Sequence, residues 1–176
     1  KNLYKLSSMA YKNYDRKPIV MIDDIFTYGK DLVISSACIG SAIKTEDVLL
    51  RFKKHFGEDF YLEVQPLDLS KNWDREKKEF ETLEENKQVD HNKKIIDWSR
   101  KHNIKLLTSM DSHYATKDLK IIQDIFILNS FAGKSGWHFA TDNHYLMDRE
   151  ECWNEFVKNG HKELITREEY DVAVDN

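Results

Sequence analysis

Apolar and polar positions along the chain alternate between strand-like and helix-like spacing. Apolar runs near residues 31–36, 60–65 and 105–109 predict strands, and the second run alternates apolar with polar side chains, as a strand with one buried face does. Between these runs, apolar residues recur at intervals of three and four, which predicts amphipathic helices. The predicted helices cover residues 3–13, 22–29, 46–57, 92–103, 117–131, 149–160 and 162–176.

The order of the predicted elements indicates an α/β fold. Strands that alternate with helices are usually parallel, with the helices outside the sheet and ligands bound at the carboxyl ends of the strands. We therefore expect the three strands to be parallel neighbours in one sheet. The stretch 72–90 is the most charged part of the chain and is interpreted as a solvated helix or a mobile excursion. Residues 145–148 are expected to form a short strand or turn.

Composition narrows the class of protein. A chain of 176 residues, 40% hydrophobic and 33% charged, can form one domain with a core. Its apolar runs are far shorter than the roughly 20 residues of a membrane span, so no membrane partner is expected. Cys38 and Cys152 are too few and too far apart for a disulfide framework, which favours the reducing cytoplasm. The chain opens at Lys1 rather than Met, and we interpret it as a fragment.

The charge balance bears on nucleic-acid binding. The net charge is −4, from 27 basic and 31 acidic residues. A domain whose main task is to grip phosphate backbones is normally basic. The sequence therefore argues against that role, although a mildly acidic module attached to a basic domain remains compatible with it.

An apolar strand runs directly into an acid and an imidazole in the stretch LLTSMDSHYA, residues 106–115. In an extended segment, residues i and i+2 point the same way. Asp111 and His113 can therefore reach one metal ion, or two adjacent ions. Carboxylate and imidazole together suit Zn, Mn or Fe better than Ca or Mg.

Two other strand ends carry candidate residues. Cys38 follows the apolar run LVISSA and is either a small buried hydrophobic residue or a metal ligand. Glu63 is either solvated or orients a ligand imidazole. We expect Cys38, Asp111 and His113 to converge at one end of the sheet. No glycine-rich phosphate loop and no nucleophile with a nearby base is evident, so no catalytic residue is assigned.

The remaining histidines are predicted to have structural or surface roles. Four of them lie on charged helix faces or in loops, and we expect them at the surface: His55, His91, His102 and His161. His138 and His144 flank the segment FATDN. Their spacing matches no zinc motif, so loop packing is the better interpretation.

Five separated segments resemble the bacterial replicative DNA polymerase III alpha subunits, and they occur in the same order. They are NLYKLSSMAY, LVISSACIGSAI, FGEDFYLEVQP, QVDHNKKIIDWSRKHNIKLLTSMDSHY and FATDNHYLM. They fall in the PHP (polymerase and histidinol phosphatase) domain that opens the proteins of this C-family of DNA polymerases. The resemblance covers most of residues 1–150.

The resemblance implies a fold and a domain organisation. The fold would be a partial, distorted (β/α)7-type barrel, with parallel strands, outer helices and a cluster of divalent metals at its C-terminal mouth. Residues 1–160 would be the C-terminal portion of the PHP domain, and residues 161–176 would be a connector towards the polymerase palm.

The resemblance also implies roles for individual residues. Cys38 matches a ligand position in a turn of the family, although Ala37 replaces the usual Gly. Asp111 and His113 match the family's last Asp-x-His ligand pair. Glu63 matches a position near the site that is not itself a ligand.

Cofactors and partners follow from the same resemblance. Zn or Mn would occupy the PHP site, and Mg would serve the polymerase site outside this fragment. The partners would be DNA, bound through the full-length polymerase, the remaining polymerase domains, the sliding clamp and other replisome subunits. The charged excursion at 67–88 is long for the family, and the section after Phe131 is short, which suggests a divergent, phage-encoded version.

Three functions are compatible with the resemblance. The first is a metal-dependent phosphoesterase that acts as a 3'-5' proofreading exonuclease within a replicative polymerase. The alternatives are a stand-alone PHP-type metal-dependent phosphatase and a non-catalytic module that braces the polymerase. The family's earlier ligand motifs would lie before Lys1 and the palm carboxylates after Asn176, so we expect the fragment alone to be inactive.

Overall fold

The computed structural model describes residues 1–74, 76–130 and 138–176. They divide into two compact units. The first unit comprises residues 1–36 and 42–61, and the second comprises residues 37–41 and 62–176.

An aromatic cluster forms the centre of the first unit. Phe52, which is 4% exposed, lies 5.1 Å from Phe26 and 5.6 Å from Phe60 between ring centroids. The cluster is assembled by short helices and the beginnings of two strands. These elements are α1 (Asn2–Lys12), α2 (Ile22–Tyr28), β1 (Ile34–Ser35), α3 (Glu46–Phe56), a 3-10 turn (Gly57–Asp59) and the start of β2 (Phe60–Val64).

The second unit contains the remaining strands and helices. After the end of β2 these are β3 (Lys71–Asp74), β4 (Glu79–Thr82), α4 (Lys87–His102), β5 (Leu106–Thr108), a 3-10 turn (Lys117–Leu119), α5 (Lys120–Ser130), α6 (Arg149–Lys158) and α7 (Arg167–Asp175). Helices α6 and α7 each begin with a capping box, at Asp148 and Thr166. Within the described ranges, every helix is too short or too polar to span a bilayer.

The parallel sheet has the strand order β1-β2-β5. The first residues of β2 pair in parallel with β1 inside the first unit, with Ile34 opposite Phe60. Its later residues pair in parallel with β5 inside the second unit, with Leu62 opposite Leu106 and Val64 opposite Thr108. The prediction of three parallel neighbouring strands is confirmed.

Most of the charged segment forms an antiparallel β-hairpin, so the solvated helix, one of the two alternatives for this stretch, was wrong for residues 72–82. Strand β3 pairs with β4, and Trp73 stands opposite Phe80 with 5.1 Å between ring centroids. The Asp74 carboxylate closes the turn by accepting hydrogen bonds from the backbone N–H groups of Glu76 and Lys77, at 2.8 and 3.0 Å. Arg75, inside this turn, lies outside the described residues.

The helices otherwise agree with the sequence pattern, with shifted ends. Helix α4 begins at Lys87, before the predicted start at residue 92, because Asn86 caps it by accepting a hydrogen bond from Gln88 N at 3.0 Å. Helix α5 follows a 3-10 turn, and the predicted final residue, Phe131, lies outside the described residues. In the stretch 145–148, predicted as a short strand or turn, Tyr145 forms an isolated parallel bridge with Tyr114.

Two histidines predicted at the surface are buried. His91 is 8% exposed and His161 is fully buried. The His161 imidazole is hydrogen-bonded on both sides, to Leu67 O through Nε2 and to the Asn92 amide through Nδ1, each at 3.2 Å. A tautomer with the proton on Nε2 donates to Leu67 and accepts from Asn92, which makes burial of the neutral ring tolerable.

The burial of His161 predicts a pH-dependent stability. Burial lowers the pKa of His161, although the contact with the Leu67 carbonyl opposes this effect. The unfolded chain therefore takes up the proton first, below about pH 6.5, and the free energy of unfolding falls as the pH decreases, by at most about 1.4 kcal/mol per pH unit. Urea unfolding at about pH 7.5 and about pH 5.5 measures this change.

The matched variant for this measurement is His161→Gln, which removes the titrating group. We expect the variant to lose less stability than the wild-type protein between the two pH values. The free energy of unfolding of the variant will still depend on pH, because burial also lowers the pKa of His144. An equal loss in both proteins would contradict the assignment of this pH dependence to His161.

Candidate metal centre

Three side chains of the second unit come together near the end of β5. They are Asp111, His113 and His144, and one potential ligand atom from each lies within 4.8 Å of the others. Asp111 Oδ1 is 3.6 Å from His113 Nε2, and Asp111 Oδ2 is 4.0 Å from His144 Nδ1. The structure thus brings together the predicted pair, Asp111 and His113, and adds a third residue.

Backbone geometry fixes the two loops that carry these residues. The His113 N–H donates to the His144 carbonyl at 2.8 Å, and the His144 N–H donates to the Tyr114 hydroxyl at 3.3 Å. Asp111 has a φ of 48°, in the left-handed region that Asp and Asn occupy more readily than other non-glycine residues. Positions 33 residues apart, Asp111 and His144, are therefore held side by side.

The His144 ring is oriented by the residue beside it. Its Nδ1 lies 3.2 Å from the Asp111 carbonyl oxygen. With the proton on Nδ1, the ring donates to this carbonyl and leaves the Nε2 lone pair for a metal ion. Burial lowers the pKa of His144 and so favours the neutral imidazole, which is the form that binds metals.

Phe139 packs against both imidazoles. Its ring centroid lies 4.7 Å from that of His113 and 4.4 Å from that of His144. His144 is nearly buried, with 5% of its side chain exposed, whereas 37% of the Asp111 side chain and 40% of the His113 side chain are exposed. An ion could therefore reach the cluster from the solvent through Asp111 and His113.

Cys38 lines the cavity next to the cluster without belonging to it. A cavity of about 780 Å³ is bordered by Cys38, Asp111, His113 and His144. The group of three potential ligands does not include the Cys38 thiol. Cys38 is partly exposed, and its carbonyl accepts a hydrogen bond from Ser41 N at 2.8 Å. Cys38 thus borders the same cavity as Asp111 and His113, and its role as a metal ligand stays a prediction.

Glu63 contacts the wall of the same cavity through other side chains. Its Oε1 accepts hydrogen bonds from the Ser109 hydroxyl and, at 2.9 Å, from Gln65 Nε2. Gln65 borders the cavity, and Ser109 precedes the loop of Asp111. These contacts allow Glu63 to position Gln65 and the start of that loop.

Comparison with known proteins finds that the chain is similar to DNA polymerase III alpha subunits. It is 31% identical over 166 residues to DNA polymerase III subunit alpha of Borreliella burgdorferi, an alignment that covers 86% of this chain and 13% of that relative. It is 30% identical over 125 residues to DNA polymerase III subunit alpha of Aquifex aeolicus, which covers 65% of this chain and 9% of that relative. The chain is similar to a segment of DNA polymerase III subunit alpha. No family model matches the chain.

The resemblance to the alpha subunit noted in the sequence is thus confirmed, and the assignment to its PHP domain stays a prediction. The chain spans 13% or less of the length of these two alpha subunits. Each is similar to this chain over a segment, and their names describe much longer proteins.

The donor set of the three residues suits a transition metal. Two imidazoles and one carboxylate match the preferences of Zn, Mn or Fe, and zinc sites in enzymes commonly use three protein ligands with one open position. One potential ligand atom from each of Asp111, His113 and His144 lies within 4.8 Å of the others, so the three residues could hold one ion. The residues present therefore fit a divalent metal.

Proposed function

We propose that this chain is the C-terminal portion of the PHP domain of a replicative DNA polymerase III alpha subunit, and that its metal centre takes part in phosphoester hydrolysis. The activity would be 3'-5' proofreading of newly made DNA. The observation that carries the proposal is the convergence of Asp111, His113 and His144 beside a cavity, in a chain similar to alpha subunits.

Each residue would have a distinct role at this centre. The Asp111 carboxylate and the His113 and His144 imidazoles would hold Zn or Mn, with the Cys38 thiol as a further ligand from the cavity wall. When bound, the metal would supply positive charge that offsets the charge on the phosphoryl group and acidifies water. Glu63 would keep Gln65 in place at the cavity wall.

The same proposal implies where the chain would lie within a larger polymerase and which partners it would have. Residues 1–160 would form part of a (β/α)7-type barrel, and residues 161–176 would lead towards the palm domain, where Mg would serve nucleotide transfer. DNA, the other polymerase domains, the sliding clamp and further replisome subunits would be its partners. The host compartment would be the cytoplasm, and the polymerase would be bacterial or phage-encoded.

A non-catalytic role in bracing the polymerase is the second candidate. It is favoured by the small number of ligands, because the described residues offer one group of three, whereas a multi-metal phosphoesterase needs more imidazoles and carboxylates. Similarity to polymerase subunits makes a stand-alone phosphatase the weaker alternative.

The decisive experiment compares this chain with its full-length parent polymerase on a labelled primer, with Zn or Mn and with a chelator. We expect the parent to shorten the primer only when metal is present. The chain alone should be a poor nuclease, since it supplies few ligands, and should incorporate no nucleotide. A parent without metal-dependent hydrolysis, but with normal synthesis, would support the bracing role instead.

A further inference from the structure

The β3–β4 hairpin forms a wall of the cavity that also contains the metal centre. The cavity of about 780 Å³ is bordered by the hairpin residues Lys71, Asn72 and Trp73, in addition to the metal-ligating group. A small phosphate ester at the metal centre would fill only part of such a volume, since cavities for drug-sized ligands begin at about 300 Å³. The hairpin therefore lies where the remainder of a larger ligand would be.

Aromatic rings make up part of this wall. Trp73 and His138 both border the cavity, with 4.3 Å between ring centroids and an interplanar angle of 60°. The Trp73 ring is also braced by Phe80 on the paired strand. Aromatic side chains of this kind bind nucleobases by stacking, with little dependence on sequence.

Two residues that border the cavity each have one buried polar atom without a hydrogen-bonding partner among the described residues. These atoms are the indole Nε1 of Trp73, a donor, and the Oε1 of Gln65, an acceptor. Gln65 is only 2% exposed, and its amide nitrogen is already bonded to Glu63 and Ser109. Unpaired buried groups cost free energy, which a ligand recovers if it offers the complementary atoms. A nucleobase edge offers both acceptors and donors.

The charge at this wall suits an anion. Lys71 and Lys87 border the cavity and bring positive charge to it. Asp111 is the acidic residue among those that border the cavity, and it belongs to the metal centre. Two lysines at one cavity in a chain of net charge −4 favour a phosphate-bearing ligand.

We propose that the β3–β4 hairpin recognises the base of a nucleoside 5'-phosphate unit bound in this cavity. Trp73 and His138 contact the base, Gln65 Oε1 and Trp73 Nε1 bind its polar edge, and Lys71 and Lys87 attract the phosphate. The inference rests on the proposed function and deepens it, since it specifies that the phosphoester substrate carries a nucleobase. Two sources share this chemistry: a free nucleotide and the terminal nucleotide of a DNA strand.

The test separates binding of the base from binding of the phosphate. Calorimetry on the 176-residue chain measures the affinities for dTMP and for 2-deoxyribose 5-phosphate, first with a chelator and then with Mn²⁺. We expect dTMP to bind about tenfold more tightly, the scale of one base–aromatic stack. Trp73→Leu should remove this difference, whereas Trp98→Leu, the same change on α4 away from the cavity, should preserve it. Equal affinity of the two ligands in the wild-type chain, or an undiminished difference in Trp73→Leu, would overturn the proposal.

A second measurement covers the case in which Trp73→Leu disturbs the hairpin. Trp73→Phe assigns the indole N–H resonance of Trp73, and dTMP should shift that resonance and leave the Trp98 resonance in place. Binding of dTMP without a shift at Trp73 would contradict the inference. A short oligodeoxythymidylate, measured in parallel, distinguishes the two sources. A shift of the Trp73 resonance with the oligonucleotide but not with dTMP identifies the end of a DNA strand as the ligand. A shift with both ligands shows that one nucleotide suffices.

The proposed function and the base-recognition inference can fail separately. A parent polymerase that lacks metal-dependent hydrolysis, while dTMP still shifts the Trp73 resonance, would overturn the phosphoesterase role and support base recognition. Metal-dependent hydrolysis with unchanged KM in Trp73→Leu would overturn base recognition and leave the phosphoesterase role intact.

Discussion

Asp111→Asn is expected to weaken Mn²⁺ binding by more than about tenfold, because loss of even an outer-shell partner of a metal ligand typically costs 10- to 100-fold. The substitution removes the negative charge and keeps the side-chain shape. Asn also tolerates the left-handed backbone at this position, where φ is 48°, so the loop should keep its conformation. Titration of free Mn²⁺, followed by its electron paramagnetic resonance signal, measures the affinity.

The control for this change is Asp97→Asn, at an exposed position of α4 away from the cluster. We expect its Mn²⁺ affinity to match that of the wild-type chain. In the parent polymerase, Asp111→Asn should lower metal occupancy and the 3'-5' exonuclease rate together, with DNA synthesis less affected. If Asp111→Asn bound Mn²⁺ as the wild-type chain does, the metal centre would have to lie elsewhere.

Phe156→Ala is expected to destabilise the second unit by about 3–5 kcal/mol, the usual cost of deleting a buried aromatic ring. Phe156 is fully buried, and its ring lies 5.5 Å from that of Tyr170 and 5.3 Å from that of His161. It therefore joins α6 to α7 and to the buried imidazole. Urea unfolding followed by circular dichroism measures the loss.

The adjacent Val157→Ala provides the control, since Val157 is 38% exposed on the same helix. Its truncation should cost less than about 1 kcal/mol. A similarly small loss for Phe156→Ala would mean that α6 and α7 are attached to the unit without contributing to its core.

The sheet was predictable because short apolar runs bounded by turn residues are compatible with few structures other than buried strands. The strands at Ile34–Ser35, Phe60–Val64 and Leu106–Thr108 follow the predicted order and direction. The hairpin was not predictable in the same way. Among its facing pairs, only Trp73 with Phe80 is apolar. The charged side chains therefore conceal the alternation of apolar and polar residues that indicates a strand.

The candidate site was only partly visible in the sequence. Asp111 and His113 are two residues apart at a strand end, a local pattern that sequence reasoning detects. His144 reaches the cluster through a backbone pairing with His113 and Tyr114, a tertiary contact that leaves no spacing signal. His161 was assigned to the surface because charged residues surround it in sequence, whereas its partners, Asn92 and Leu67, come from distant segments.

The parallel pairing of β2 with β5 has a consequence for the order of folding. The pairing joins distant positions, such as Val64 with Thr108. Just beyond the strands, Gln65 is hydrogen-bonded to Ser109, 44 residues away. Closing such long loops is entropically costly and slow, whereas the β3–β4 hairpin and the helices need only local contacts. Because Asp111 and His113 follow β5 directly, we expect their cluster with His144 to assemble late. A partly folded chain would then lack the metal centre, and an added ion would stabilise the native state selectively.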